Sequence, residues 1–128
     1  MSHRIRGAAL ILLLASPLLH AAGKESASYS KCMKTANTTA DMTDCSGAEL
    51  KVQDARLNKA YKAALAGLEV PQQGKLRDAQ RQWIAYRDAN CAMYYTLSGG
   101  TIDLLNGAAC ELDMTNARAD ELENLPQT

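Results

Sequence analysis

The stretch Gln80-Arg81-Gln82-Trp83-Ile84-Ala85-Tyr86-Arg87-Asp88-Ala89-Asn90-Cys91 decides the fold. At helical spacing, Leu76, Gln80, Trp83, Arg87, Cys91 and Tyr94 fall on one face. A stripe that packs a core is normally apolar. This one holds the sole Trp of the chain and a Cys, but also a Gln and an Arg. A buried charge needs a partner, because removing one member of a buried pair costs on the order of 3–5 kcal/mol. The segment therefore predicts a helix, a disulfide and an internal acid for Arg87.

Outward from that helix, the same anomaly recurs on both sides. Upstream, a helix starts at an N-cap Thr38 or Thr39, with Asp41 and Asp44 in its first turn, where they suit the helix dipole. It runs to about Leu68 on a stripe of Leu50, Asp54, Leu57, Tyr61, Ala64, Leu65 and Leu68. Asp54 is the polar intruder there. Gly67, Val70, Pro71 and Gly74 mark the break before the second long helix, at about Gln72 to Thr96. Ser98-Gly99-Gly100-Thr101 ends it, and the segment to Asn106-Gly107 reads as a loop or partial turn. A last helix is expected from near Thr115 to Leu125, with Arg118 on its inner stripe between Met114 and Leu122. Lys31 to Ala36 predicts a short first helix behind a flexible lead, Gly23 to Ser30. No alternating strand pattern occurs. The expected fold is all-α: a small disulfide-stapled helical bundle, with two long antiparallel helices plus short N- and C-terminal helices. Asp54, Gln80, Arg87 and Arg118 are expected to form a buried polar network, with Asp54 paired to Arg87 or Arg118.

The N-terminus predicts export. His3, Arg4 and Arg6 precede an apolar run from Ala8 to Leu19, and the small residues Ala21, Ala22 and Gly23 follow. That run is about 12 residues, against the ~20 that a spanning helix needs, so it reads as a signal peptide over residues 1–22. Cleavage after Ala21 or Ala22 leaves one domain over 23–128 in the periplasm or outside the cell, with no membrane anchor. Four cysteines in an exported chain read as two disulfides. Cys32–Cys45 and Cys91–Cys110 are the favoured pairs, since each closes a short loop; crossed pairings stay open. Each bond would contribute roughly 3 kcal/mol.

Both histidines, His3 and His20, lie in the signal. The mature chain therefore has no His for general acid–base catalysis, nucleophile activation or metal ligation. Oxidised cysteines remove a thiolate zinc site as well. The acidic groups Glu111/Asp113 and Asp120/Glu121/Glu123 have the spacing of solvated helix faces. The reading is of a non-enzyme without cofactor or metal. Loss of Arg4 and Arg6 leaves 12 basic against 14 acidic residues, net −2, which argues against nucleic acid as a partner. The charges are unevenly spread. Lys51 to Arg87 is basic, and Ser98 onward carries six acids against Arg118 alone. That acidic end would steer a cationic partner.

One further pattern emerges from order and spacing. Cys32, Thr39 and Cys45 are followed by Asp54-Ala55-Arg56-Leu57-Asn58-Lys59-Ala60-Tyr61. Then come Leu76, Gln80, Trp83, Arg87-Asp88 and Cys91, and finally Gly99-Gly100, Cys110, Thr115, Arg118-Ala119 and Leu122. From Cys32 to about Leu125 the chain resembles the LprI-like (DUF1311) family, small exported helical domains named for a lysozyme inhibitor. Unlike the lipoprotein that named the family, it has no Cys close behind the apolar run. What the resemblance implies is binding and inhibition of a lysozyme, a cationic glycoside hydrolase. An inhibitor of such an enzyme needs a rigid protrusion that reaches its two catalytic carboxylates. The candidate is the loop Ser98-Gly99-Gly100-Thr101-Ile102-Asp103, tied down by Cys91–Cys110. Its glycines permit close backbone approach, although Asp103 near the tip would be repelled. The alternative is an interaction module of the envelope-stress or immunity type, using Tyr86, Met93, Tyr94 and Tyr95.

Overall fold

The computed structural model describes residues 25–126. The predicted signal peptide lies outside them. Four helices follow in order: α1 (Ala27–Thr35), α2 (Thr39–Ala66), α3 (Val70–Tyr94) and α4 (Ile102–Glu123). No strand occurs among the described residues. The all-α expectation holds, and the cysteines pair as Cys32–Cys45 and Cys91–Cys110.

Local chemistry sets the helix ends. Ser26 caps α1, its hydroxyl accepting from the Tyr29 N–H at 3.1 Å. α1 therefore starts four residues before the Lys31 expected from pattern alone. Of the two candidate caps for α2, Thr38 serves. Its hydroxyl accepts from Asp41 N–H at 3.0 Å, and the Asp41 carboxylate accepts from Thr38 N–H at 3.1 Å. Pro71 and Gly74 do not lie in the break. Pro71 sits in the first turn of α3, where its missing N–H costs nothing, and Gly74 is inside the helix.

The largest departure is α4. It begins at Ile102 rather than near Thr115, and is a 22-residue helix rather than a short one. Gly107 lies within it. A Cβ there would stand 2.4 Å from the Tyr95 ring. That glycine serves the close approach of the α3 end to α4, not a turn.

α4 packs against α2 most extensively and against α3 on its other flank. The α3–α4 pairs run antiparallel: Cys91 with Cys110, Arg87 with Thr115, Gln80 with Arg118. The core gathers Leu57, Ala60, Ala64, Leu76, Ala119 and Leu122, with Trp83, Tyr61 and Leu125 packed against it. Small residues at the α2–α4 seam let the two backbones approach.

The buried stripe of α2 keeps Leu57 and Ala64 as expected but differs at three other positions. Glu49, Gln53 and Ala60 are buried where Leu50, Asp54 and Tyr61 were expected. The difference draws two polar groups, Glu49 and Gln53, inside. Both find partners, and no buried side-chain nitrogen or oxygen among the described residues lacks one.

Candidate functional site

The four residues expected to form one buried network form two linked pairs. Gln80 Oε1 accepts from Arg118 Nε at 3.0 Å, and both residues are buried. Arg87 donates to the Asp88 carboxylate at 2.9 and 3.0 Å and to the Thr115 hydroxyl at 3.3 Å. Asp54 stands 3.6 Å from Arg87, but its side chain is 47% exposed. The buried acid expected for Arg87 is thus a half-exposed one, because Gln53 rather than Asp54 takes the buried position on α2. Trp83 joins the two pairs, with the guanidinium carbons of Arg87 and Arg118 at 5.2 and 5.9 Å from its ring centre.

A second polar chain escaped the sequence reading. The Glu49 carboxylate accepts from the Ser26 N–H at 2.8 Å and from the Ser26 hydroxyl, and from Gln53 Nε2 at 2.8 Å. Gln53 in turn accepts from Arg56 at 3.1 Å. Arg56 donates onward to Asn116 at 2.7 Å, to Glu123 at 2.6 and 2.8 Å, and to Asp120. Those contacts, led by Glu123, hold the guanidinium charged against the effect of burial. The available signal was Glu49, Gln53 and Arg56 at i, i+4 and i+7, in line with Ala60 and Ala64.

This chain also redistributes charge. Asp120 and Glu123 meet Arg56, and Glu121 meets Arg118 at 2.7 Å. Three of the six acids expected to steer a cationic partner are matched within the fold.

The predicted loop is a tight turn at the α3–α4 end. Asp103 does not point from its tip. It is 2% exposed, in the first turn of α4. Its carboxylate accepts from the Ser98 N–H at 2.9 Å, the Ser98 hydroxyl at 2.8 Å and the Gly99 N–H at 2.8 Å. Burial pushes its pKa up, but these three donors favour the charged form and hold it below the ordinary carboxylate value. Gly99 has φ of 75°, a left-handed conformation that glycine adopts without strain. Cys91–Cys110 ties the two helices just behind the turn.

With Asp103 turned inward, the outer surface is left to Leu97, Ser98, Gly99, Gly100, Thr101 and Ile102, all exposed. Leu97 and Ile102 are 57% and 52% exposed, and Leu104 beside them 47%. Met93 and Tyr86 continue the apolar surface along α3, whereas Tyr94 and Tyr95 are half-buried. Burial, then the nearby Glu111 carboxylate, raises the Tyr95 pKa.

Among the described residues, no group of three or more His, Cys, Asp or Glu could hold a metal ion. No described helix is long and apolar enough to cross a membrane. Fold and site together define a small stapled set of helices whose α3–α4 turn is apolar outside and hydrogen-bonded to Asp103 inside.

Comparison with known proteins gives it a family. The family model for lysozyme inhibitor LprI matches residues 30–122, and the chain belongs to that family. An uncharacterized protein of Rhizobium meliloti (strain 1021) is 27% identical over 102 residues, covering 69% of this chain and 73% of that protein. No solved structure matches the chain.

Proposed function

We propose that this protein is exported by a signal peptide at residues 1–22, and that its single domain, 23–128, binds and inhibits a lysozyme. It acts as a binding protein, not an enzyme, and without a cofactor. Family membership supports an inhibitor. The observation that carries the proposal is the α3–α4 turn, where a disulfide and an internally capped Asp103 hold an apolar surface outward. A lysozyme cleft holds two carboxylates, which would repel an acid presented to them. Because Asp103 is turned inward and bonded by three donors, the turn can approach such a cleft with hydroxyl, glycine and apolar groups foremost. Leu97 and Ile102 are the anchors, Thr101 supplies a hydroxyl, and Gly99 and Gly100 admit close backbone contact.

Calorimetric titration of the oxidised protein against lysozymes of several types tests this. Saturable binding to at least one is expected. Leu97→Ser with Ile102→Ser should weaken it at least about tenfold, the effect of about 1.4 kcal/mol lost at an anchor. Tight binding that ignores both substitutions would move the contact elsewhere. No binding to any type would leave an interaction module with another partner.

A further inference from the structure

Behind the turn, α3 and α4 enclose a groove of about 510 Å3, within the ~300–1,000 Å3 range of small-ligand sites. Asn90 and Tyr94 of α3, with Leu97 just beyond its end, form one wall. Asn106 and Asp113 line the other, with Met114 and the Cys110 sulfur between the walls. The walls are pinned by Cys91–Cys110 and by Asn90, whose amide donates to Met114 Sδ at 3.4 Å and Cys110 Sγ at 3.5 Å.

The chemistry of this groove is one-sided. Asp113 is its single charged residue, and no basic side chain lines it. Unlike Asp120, Glu121 and Glu123, Asp113 makes no ion pair or hydrogen bond among the described residues. The groove that holds Arg56 and Lys59 and the one that holds Arg77, Arg81 and Arg87 are both cationic by comparison. Among the described residues, the side-chain carbonyl oxygens of Asn90 and Asn106 accept no hydrogen bond, and Tyr94 adds an aromatic ring.

We propose that this groove takes an arginine side chain of the protein partner. The guanidinium pairs with the Asp113 carboxylate and lies against Tyr94, with the two Asn carbonyls as further acceptors. Its methylenes run over Leu97 and Met114. Arginine fits better than lysine because its planar fork bonds a carboxylate bidentately and stacks on a ring. The groove opens beside Leu97, so the inserted arginine and the apolar turn engage one partner surface. This inference rests on the proposed inhibitor role for the identity of the partner, but not for the chemistry of the groove.

The test uses the oxidised protein and N-acetyl-arginine methylamide as probe, followed by NMR at low salt. Saturable shifts at the Asn90 and Asn106 side-chain amides and the Tyr94 ring are expected at millimolar probe. Asp113→Asn should abolish them without changing the thermal midpoint, because Asp113 is exposed and unpaired. N-acetyl-norleucine methylamide, which keeps the stem and lacks the charge, should give none. Shifts that survive Asp113→Asn, or that norleucine reproduces, would overturn the proposal, as would their absence. Where a lysozyme binds the wild type, Asp113→Asn should weaken it roughly five- to tenfold, as for a half-exposed charge-assisted pair. Equal affinities would reject the groove while leaving the inhibitor role standing. Probe binding without lysozyme binding would reject the inhibitor role and keep the groove.

Discussion

Asp103 shows how one carboxylate can shape a surface it does not belong to. Its three donors close the turn and leave the neighbouring apolar residues outside. Its folded pKa is depressed, so its contribution is complete above the ordinary Asp value, near 3.9, and is lost as pH falls through the lowered folded value. Asp103→Asn should therefore lower the thermal midpoint at pH 7, and its difference from wild type should shrink below about pH 4. An unchanged gap across that range would show that the charge is not what matters. At Gly107 the constraint is steric. Gly107→Ala places a methyl 2.4 Å from the Tyr95 ring and should cost roughly 1–3 kcal/mol, measured by urea unfolding. Neither role could be read from the sequence. Asn106-Gly107 has the composition of a turn, and only the ring packed on it shows why a helix carries glycine there. Asp103 reads as a tip residue in the sequence because Ser98-Gly99-Gly100-Thr101 and Asn106-Gly107 on either side of it have turn composition, although α4 starts at Ile102.

Between elements, Arg56 is the clamp that holds α2 to α4. It ties Gln53 to Asn116, Asp120 and Glu123, with its side chain 17% exposed. Arg56→Ala should destabilise by about 2–3 kcal/mol, because it leaves the buried Asn116 short of a donor as well as removing the ion pairs. Chemical denaturation checks it, and a loss under 0.5 kcal/mol, the usual range of a surface substitution, would demote the clamp to surface decoration. At the other end of the chain of bonds, Glu49 anchors α1. Although burial works against its charge, the Ser26 and Gln53 donors keep its pKa depressed, so the anchor holds above the ordinary Glu value and is released as pH falls. Glu49→Ala should raise amide exchange in α1 at neutral pH while α4 is unaffected. The Cys32–Cys45 bond keeps α1 attached in either case. The helix stripe of α3 was legible because its Trp, Arg and Cys lie at helical spacing. That of α2 was legible at Leu57 and Ala64 but not at Glu49, Gln53 and Ala60, because hydrophobic periodicity gives alanines and polar residues little weight.

For the molecule as a whole, two disulfides and a bundle of helices were legible in cysteine count and period, and the pairings follow the shortest loops. Of the expected turn, Ser98 to Thr101 lie between α3 and α4, but Ile102 and Asp103 belong to α4, and the outward surface depends on which side chains the fold withdraws. The acidic end likewise looked like a steering surface, but half of its acids meet arginines once the helices pack. What remains is a stapled domain with a capped apolar turn and an unmatched Asp113 beside it. The most direct measurement of the central claim is a lysis assay: lysozyme-sensitive cells, a lysozyme, and increasing amounts of the oxidised protein. Dose-dependent protection is predicted, reduced by Leu97→Ser with Ile102→Ser. Cells lysed at the same rate with and without the protein, across several lysozyme types, would contradict it.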